Sequence, residues 1–160
     1  MANDRALRRQ LAALLDWEDA HVGFDTAVAG IPEGRRGLQP AGLPYSPWQL
    51  LEHIRLVQRD LLEFCRDPAY RAREWPDDYW PETPSPPSAE AWDASVVHVR
   101  RDRQALQALA TDSAHDLLAT VPRGNGQTYL RELLLAADHT AYHVGQLVVV
   151  RRLLGRWDAA

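Results

Sequence analysis

The sequence predicts an all-α protein, a four-helix bundle occupying one domain over residues 1–160. Four stretches repeat apolar side chains at the 3.6-residue period of an amphipathic helix, and none alternates apolar and polar residues as a half-buried strand would. The connectors between those stretches are rich in Pro and Gly, which ends any regular period there. A chain of 160 residues with 46% hydrophobic and 25% charged residues can bury a substantial core.

The first predicted helix starts at an Asn3 or Asp4 cap. Leu7, Leu11, Leu14, Leu15, Trp17 and Val22 carry its apolar period, and it continues through Phe24 to about Ala29, before Gly30 and Pro32. His21 and Asp25 stand four apart on it. Residues 30–46 form a Gly- and Pro-rich connector closing on Ser46-Pro47-Trp48-Gln49. A Ser cap, a Pro at the first helical position and a Gln three residues after the cap are a strong start signal, which Tyr45 against Leu50 can reinforce as a staple. The second predicted helix, 47–66, places Leu50, His53, Ile54, Val57, Leu61 and Phe64 inward. Its polar residues Glu52, Arg55, Gln58 and Arg59 are expected to point away.

Residues 67–87 are a long crossover holding six prolines and the aromatics Tyr70, Trp75, Tyr79 and Trp80. Prolines forbid a regular helix, and the aromatics argue for a packed segment rather than a loose linker. Ser88 caps the third predicted helix, 89–111, with Trp92, Val96, Val99, Leu106 and Leu109 inward. A polar connector follows to Gln127. Thr128 caps the last helix, which stops at Gly155 with Leu130, Leu133, Leu134, Ala137, Ala141, Val144 and Val148 as its core stripe.

Net charge is −4, all 18 basic residues are Arg, and no Lys is present. That excludes Schiff-base lysine chemistry and a Walker-type phosphate lysine, and no basic field attracts nucleic acid or anionic lipid. One cysteine, Cys65, can form neither an intramolecular disulfide nor a thiolate zinc cluster. The N-terminus reads as an amphipathic helix rather than a signal peptide, and no run reaches the length of a membrane span. These readings place the protein in the cytoplasm, without nucleic-acid or membrane partners.

His139 and His143 lie four apart on the last predicted helix, so both imidazoles can reach one point in space. Chance supplies such a pair fairly often in a chain with six histidines, so the pair alone is weak. His53, inward on a second helix, strengthens it. Bundle metal sites are built from side chains on facing helices, and three buried imidazoles without a cation would each need a partner. The position after His139 is Thr140, not the Glu of a zinc-protease motif. Three neutral imidazoles with an open fourth position match the catalytic zinc pattern, and nickel, copper and iron also suit such ligands. Glu52, Glu132 and Asp138 are candidates to orient the rings, Glu132 being best placed for His139. His21 with Asp25 is a candidate fourth ligand or polar dyad, more simply a surface pair. His98 and His115 read as surface residues.

Three segments carry a family resemblance: Ser46 to Ile54, the WPDDYWP run at 75–81, and residues 128–152 with the HxxxH spacing. They resemble the DinB-like metal-binding bundles, including YfiT-type proteins, over nearly the whole chain. The resemblance implies His53, His139 and His143 as metal ligands, and the ion expected there is divalent, zinc or nickel first. It also implies up-down-down-up connectivity across the long crossover, and a homodimer. Relatives of that fold and triad are thiol-dependent S-transferases and isomerases using bacillithiol or mycothiol. The expected function is therefore a metal-dependent transferase on a low-molecular-weight thiol, with Trp75, Tyr79 and Trp80 receiving a small-molecule electrophile. A metal-dependent hydrolase and a non-enzymatic metal-binding stress protein are the alternatives.

Overall fold

The computed structural model describes residues 2–122 and 124–155, with side chains from Asp4 onward. Five α-helices are present among the described residues: α1 Ala2–Leu14, α2 Phe24–Val28, α3 Pro47–Arg66, α4 Ala89–Thr111 and α5 Tyr129–Leu153. No strand occurs among the described residues; Thr120 and Thr128 form one isolated antiparallel bridge.

The starts of the long helices follow from their caps. The Ser46 hydroxyl accepts from the Gln49 amide while the Gln49 side chain accepts from the Ser46 amide, closing a capping box on α3. Ser88 accepts from the Ala91 amide and Thr128 from the Arg131 amide. Gly155, with φ +70°, ends the last helix. The Asn3 cap lies outside the described side chains. Asp4 sits within the first turn of α1 and pairs with Arg8 at 3.0 Å.

The first predicted helix is broken. It gives α1, a turn over residues 15–23, and the short α2. Arg103 of α4 supplies the reason: it pairs with Asp16 at 2.5 Å and with Asp25 at 2.8 Å. On one continuous helix these carboxylates would stand roughly 13.5 Å apart on opposite faces, beyond a single guanidinium. The break brings both to it. Gly23 permits the turn, because any Cβ there would meet the Glu18 side chain. Trp17 consequently leaves the core and is exposed, as is Leu7.

Two buried clusters fill the bundle. One holds Phe24, Trp48, Ile54, Val99 and Leu147; the other holds Leu11, Leu61, Leu106, Leu117 and Leu133. α3 and α4 both pass from the first cluster to the second, and α5 returns from the second to the first. α3 is the central helix, packed against both α4 and α5, while α1 packs mainly on α4.

That central position corrects the expectation that the polar residues of α3 face outward. Glu52 and Gln58 are buried. Gln58 donates to the Val99 carbonyl at 2.7 Å, and Glu52 binds Arg55 and accepts from Ser95. Burial is tolerated because each has its partner. In α5 the buried stripe runs through Leu133, Ala136, Ala137, Val144, Leu147 and Val150, while the expected core residues Leu134 and Ala141 are exposed. A helix apolar on nearly all sides does not encode which side faces its neighbours. By length and composition alone α5 could cross a membrane, contrary to the sequence reading, although 44% of the relevant window is buried within the bundle.

Candidate metal centre

α3 and α5 bring His53, His139 and His143 together where the two clusters meet. One ring nitrogen from each lies within 4.8 Å of the others, and the Nε2 atoms of His53 and His139 are 3.0 Å apart. His53 and His143 are buried and His139 is half-buried.

Two of the three tautomers are set by neighbours. His53 Nδ1 is 2.7 Å from the Tyr79 carbonyl oxygen, which can only accept, so Nδ1 carries the proton. His143 Nδ1 donates to Gln146 Oε1 at 2.7 Å. Both rings therefore turn an Nε2 lone pair toward the cluster, an arrangement metal-ligating histidines commonly adopt. Burial pushes His53 down to about 4, against the Tyr79 hydrogen bond and helped by His143. Burial, then the charges of His143 and His53, pushes His139 down to about 3. His143 is also lowered by burial. Three neutral nitrogen donors converge where protonation is disfavoured, so the donor set fits a borderline transition metal rather than magnesium or calcium.

The crossover roofs this cluster. Trp80 stacks on His53 with centroids 3.8 Å apart and planes 6° from parallel. Tyr79 anchors the roof at a second point: its phenol donates to Asp60 Oδ2 at 2.8 Å, and the Tyr70 phenol donates to Asp60 Oδ1 at 3.1 Å. Asp60 is buried and lies two helical turns beyond His53 on the same face of α3. One tyrosine thus ties the crossover to α3 through its phenol and orients His53 through its carbonyl. Trp75 is 68% exposed with its ring 6.3 Å from His53, and Tyr142, 63% exposed, has its ring 4.9 Å from His143. These two form an aromatic rim.

The remaining expected residues fall elsewhere. Glu132 is buried, but its hydrogen bond goes to Arg131 at 2.6 Å. Glu52 is engaged with Arg55 and Ser95, and Asp138 is exposed on α5. His21 is exposed beside a cleft that the metal-site histidines do not line, with Nδ1 2.9 Å from the Val22 carbonyl. Asp25 belongs to Arg100 and Arg103, so the His21–Asp25 dyad does not form. His98 and His115 are partly exposed at the surface, and His115 pairs with Asp112 at 2.9 Å. Cys65 is a buried free thiol, pushed up to about 12 by burial and the nearby Glu132 charge, which removes it as a nucleophile.

Sequence reasoning missed Gln146, Asp60 and Tyr142. Spacing carried a signal for the first two, three residues beyond His143 and seven beyond His53. The Tyr79 carbonyl left none, because every residue has one.

No curated protein and no solved structure matches the chain. The family model described as the DinB superfamily matches residues 16–147, from the turn after α1 through most of α5. That span includes all three histidines and the crossover that covers them, so the chain belongs to the DinB superfamily.

Proposed function

We propose that this DinB-superfamily protein is a metal-dependent transferase acting on a low-molecular-weight thiol, with zinc or nickel held by His53, His139 and His143. One observation carries the choice of a thiol over water: the candidate ligand group is all imidazole, with no carboxylate joining it among the described residues. A hydrolase of this type needs a base beside the metal, and Glu52 and Glu132 are both committed to ion pairs. When bound, the metal supplies Lewis acidity that favours a deprotonated thiol near neutral pH.

The chain's own residues do the rest. The Tyr79 carbonyl and Gln146 hold two rings in their lone-pair-inward tautomers. Trp80 shields one face of His53 from water. The exposed rings of Trp75 and Tyr142 offer stacking surface to an aromatic or conjugated electrophile. Sulfur forms the new bond to the electrophilic carbon, the leaving group departs with its electron pair, and the thiol proton goes to solvent.

The homodimer and the cytoplasmic setting belong to the same reading. Val149 and Leu153 are exposed four residues apart on one side of α5 and would be covered by a second copy. A lone buried thiol and a thiol cosubstrate suit a reducing interior. Val149→Glu, followed by light scattering, should shift a dimer to monomer.

The central test is the visible spectrum of cobalt-substituted protein titrated with cysteine, bacillithiol and mycothiol, alongside turnover of 1-chloro-2,4-dinitrobenzene. Spectral change with a thiol, together with turnover, supports the transferase. Spectra unmoved by every thiol would sink it.

A further inference from the structure

The bundle is not closed on all sides. α1 packs mainly on α4 and α5 mainly on α3, leaving the seam between α1 and α5 thinly packed. A cleft of about 410 Å³ lies there, walled by Leu15 and Phe24 on one side and by Leu134, Ala137, Ala141 and Val144 of α5 on the other. That volume falls within the range of small-molecule pockets, roughly 300–1,000 Å³. It is separate from the histidine cluster, because Ala141 lies two residues from both His139 and His143. Residues two apart on a helix project about 200° apart.

The mouth of this cleft differs in chemistry from its walls. Asp16 and Trp17 line it, and the same two residues open onto a surface hollow shared with Glu18, Asp19 and Asp25. The Glu18 side chain lies against Gly23, itself part of the cleft wall, and Asp138 adds a carboxylate from α5. Arg100 and Arg103 answer Asp25 and Asp16, whereas Glu18, Asp19 and Asp138 form no ion pair among the described residues. Burial, and beyond it the Asp25 and Glu18 charges, push the Asp16 carboxyl up although Arg103 pulls it down. Negative charge at the mouth thus exceeds what the two arginines cancel.

Trp17 stands on this acidic lip, 46% exposed, with its indole N–H donated to Asp19. That bond engages the polar edge of the ring and leaves its faces, the electron-rich surfaces that attract cations. An indole face among carboxylates suits a positive charge, and the cleft beside it suits apolar bulk. An anion would meet the carboxylates, and a neutral hydrocarbon would leave the charge at the mouth unanswered.

We infer that the α1–α5 cleft binds a lipophilic ammonium cation. Its apolar body would lie between Phe24 and α5, and its charged head at the mouth, against Trp17 and the carboxylates of Asp16, Glu18 and Asp138. This site depends on neither the metal nor the transferase reading.

Adamantylamine, adamantanol and adamantanecarboxylate make a direct test, since they share one rigid apolar cage and differ in the charge of a single substituent. The amine is protonated at neutral pH and has no lone pair to offer the histidine cluster. Each compound is titrated at low salt into methyl-labelled full-length protein and followed by NMR. The amine should shift the Ala137, Ala141 and Val144 methyls saturably and bind about fivefold tighter than the alcohol, with the carboxylate weakest. Added salt should shrink that margin. Trp17→Leu keeps apolar surface but removes the ring face, and should cut the amine's margin about twofold or more. Glu18→Gln should cut it in the same direction, and both positions are exposed, so both variants should fold. Ala141→Trp fills the cleft from an exposed helical position and should lose amine and alcohol alike. Several outcomes would overturn the inference: no saturable shift, equal affinity for amine and alcohol, or a carboxylate that binds best. So would a margin that survives both Trp17→Leu and Glu18→Gln, or binding undisturbed by Ala141→Trp. Finding the cleft methyls buried by a second copy in a concentration-dependent dimer would overturn it as well.

Discussion

The two sides of α5 solve opposite problems. On the α3 side, three polar rings are packed under a roof, and two have the outward nitrogen bonded, to the Tyr79 carbonyl and to Gln146. On the α1 side, the wall is apolar and the space is open. The difference shows where the fold invests order. Buried polar groups demand complete partnering or they destabilise the state that holds them, so the histidine side needs the crossover and Asp60 around it. The other side is lined mostly by apolar side chains, which ask for no hydrogen bond, and it can remain open.

The largest effect expected on this contrast comes from the histidines themselves. His53→Ala and His143→Ala should weaken metal affinity by more than the roughly 10–100-fold that outer partners are worth, so that protein purified without chelators carries little metal. Elemental analysis checks this, and full occupancy persisting in both variants would end the three-histidine assignment. Asp60→Ala comes next. It releases the Tyr79 and Tyr70 phenols, so the crossover should loosen and metal affinity fall about tenfold. An unchanged affinity by competition with a chromophoric chelator would show that Trp80 stacking holds the roof alone.

A pH dependence separates the two sides further. Burial holds His53 at about 4 and His139 at about 3 in the folded protein, below the roughly 6.5 of an unfolded histidine. Between those values the unfolded chain binds protons that the folded chain does not. The metal-free protein should therefore lose stability as pH falls from about 6.5 toward 4, and gain nothing from these groups above 6.5. Thermal melts of the metal-free protein across that window should show it, and His139→Gln should flatten the slope. A level melting temperature would mean the rings are open to water. The smallest effect is shared by both sides, since both use α5. Thr128→Ala removes its cap and should cost about 1 kcal/mol, or a few degrees in melting temperature, with metal content unchanged.

Much of the fold was legible along the chain, because caps and periods are local. Ser46-Pro47-Trp48-Gln49 announces α3 with its capping box, and Ser88, Thr128 and Gly155 mark their helix ends where expected. The three histidines could be singled out for the same reason, since helical spacing puts His139 and His143 on one face and His53 inward on another helix. Where the reading failed, contacts between distant residues had decided the outcome. Nothing near Asp16 or Asp25 says that Arg103, about eighty residues later, will hold both and break the first helix. The phase of α5, apolar on most sides, was settled by packing against α3, which left Leu134 and Ala141 in the cleft wall.

What the sequence by itself determined, then, is the three long helices α3, α4 and α5 and the identity of the candidate ligands, both properties of spacing within a few turns. Only the tertiary structure decided how those ligands are held. A backbone carbonyl of the crossover fixes one ring, a tryptophan stacks on it, and a buried aspartate two turns away anchors the tyrosine between them. Carbonyls carry no side-chain signature, and the roof and α3 meet only after the chain has crossed the bundle. The open seam on the far side of α5 has the same origin, because a cleft is what the packing of separate elements leaves unfilled.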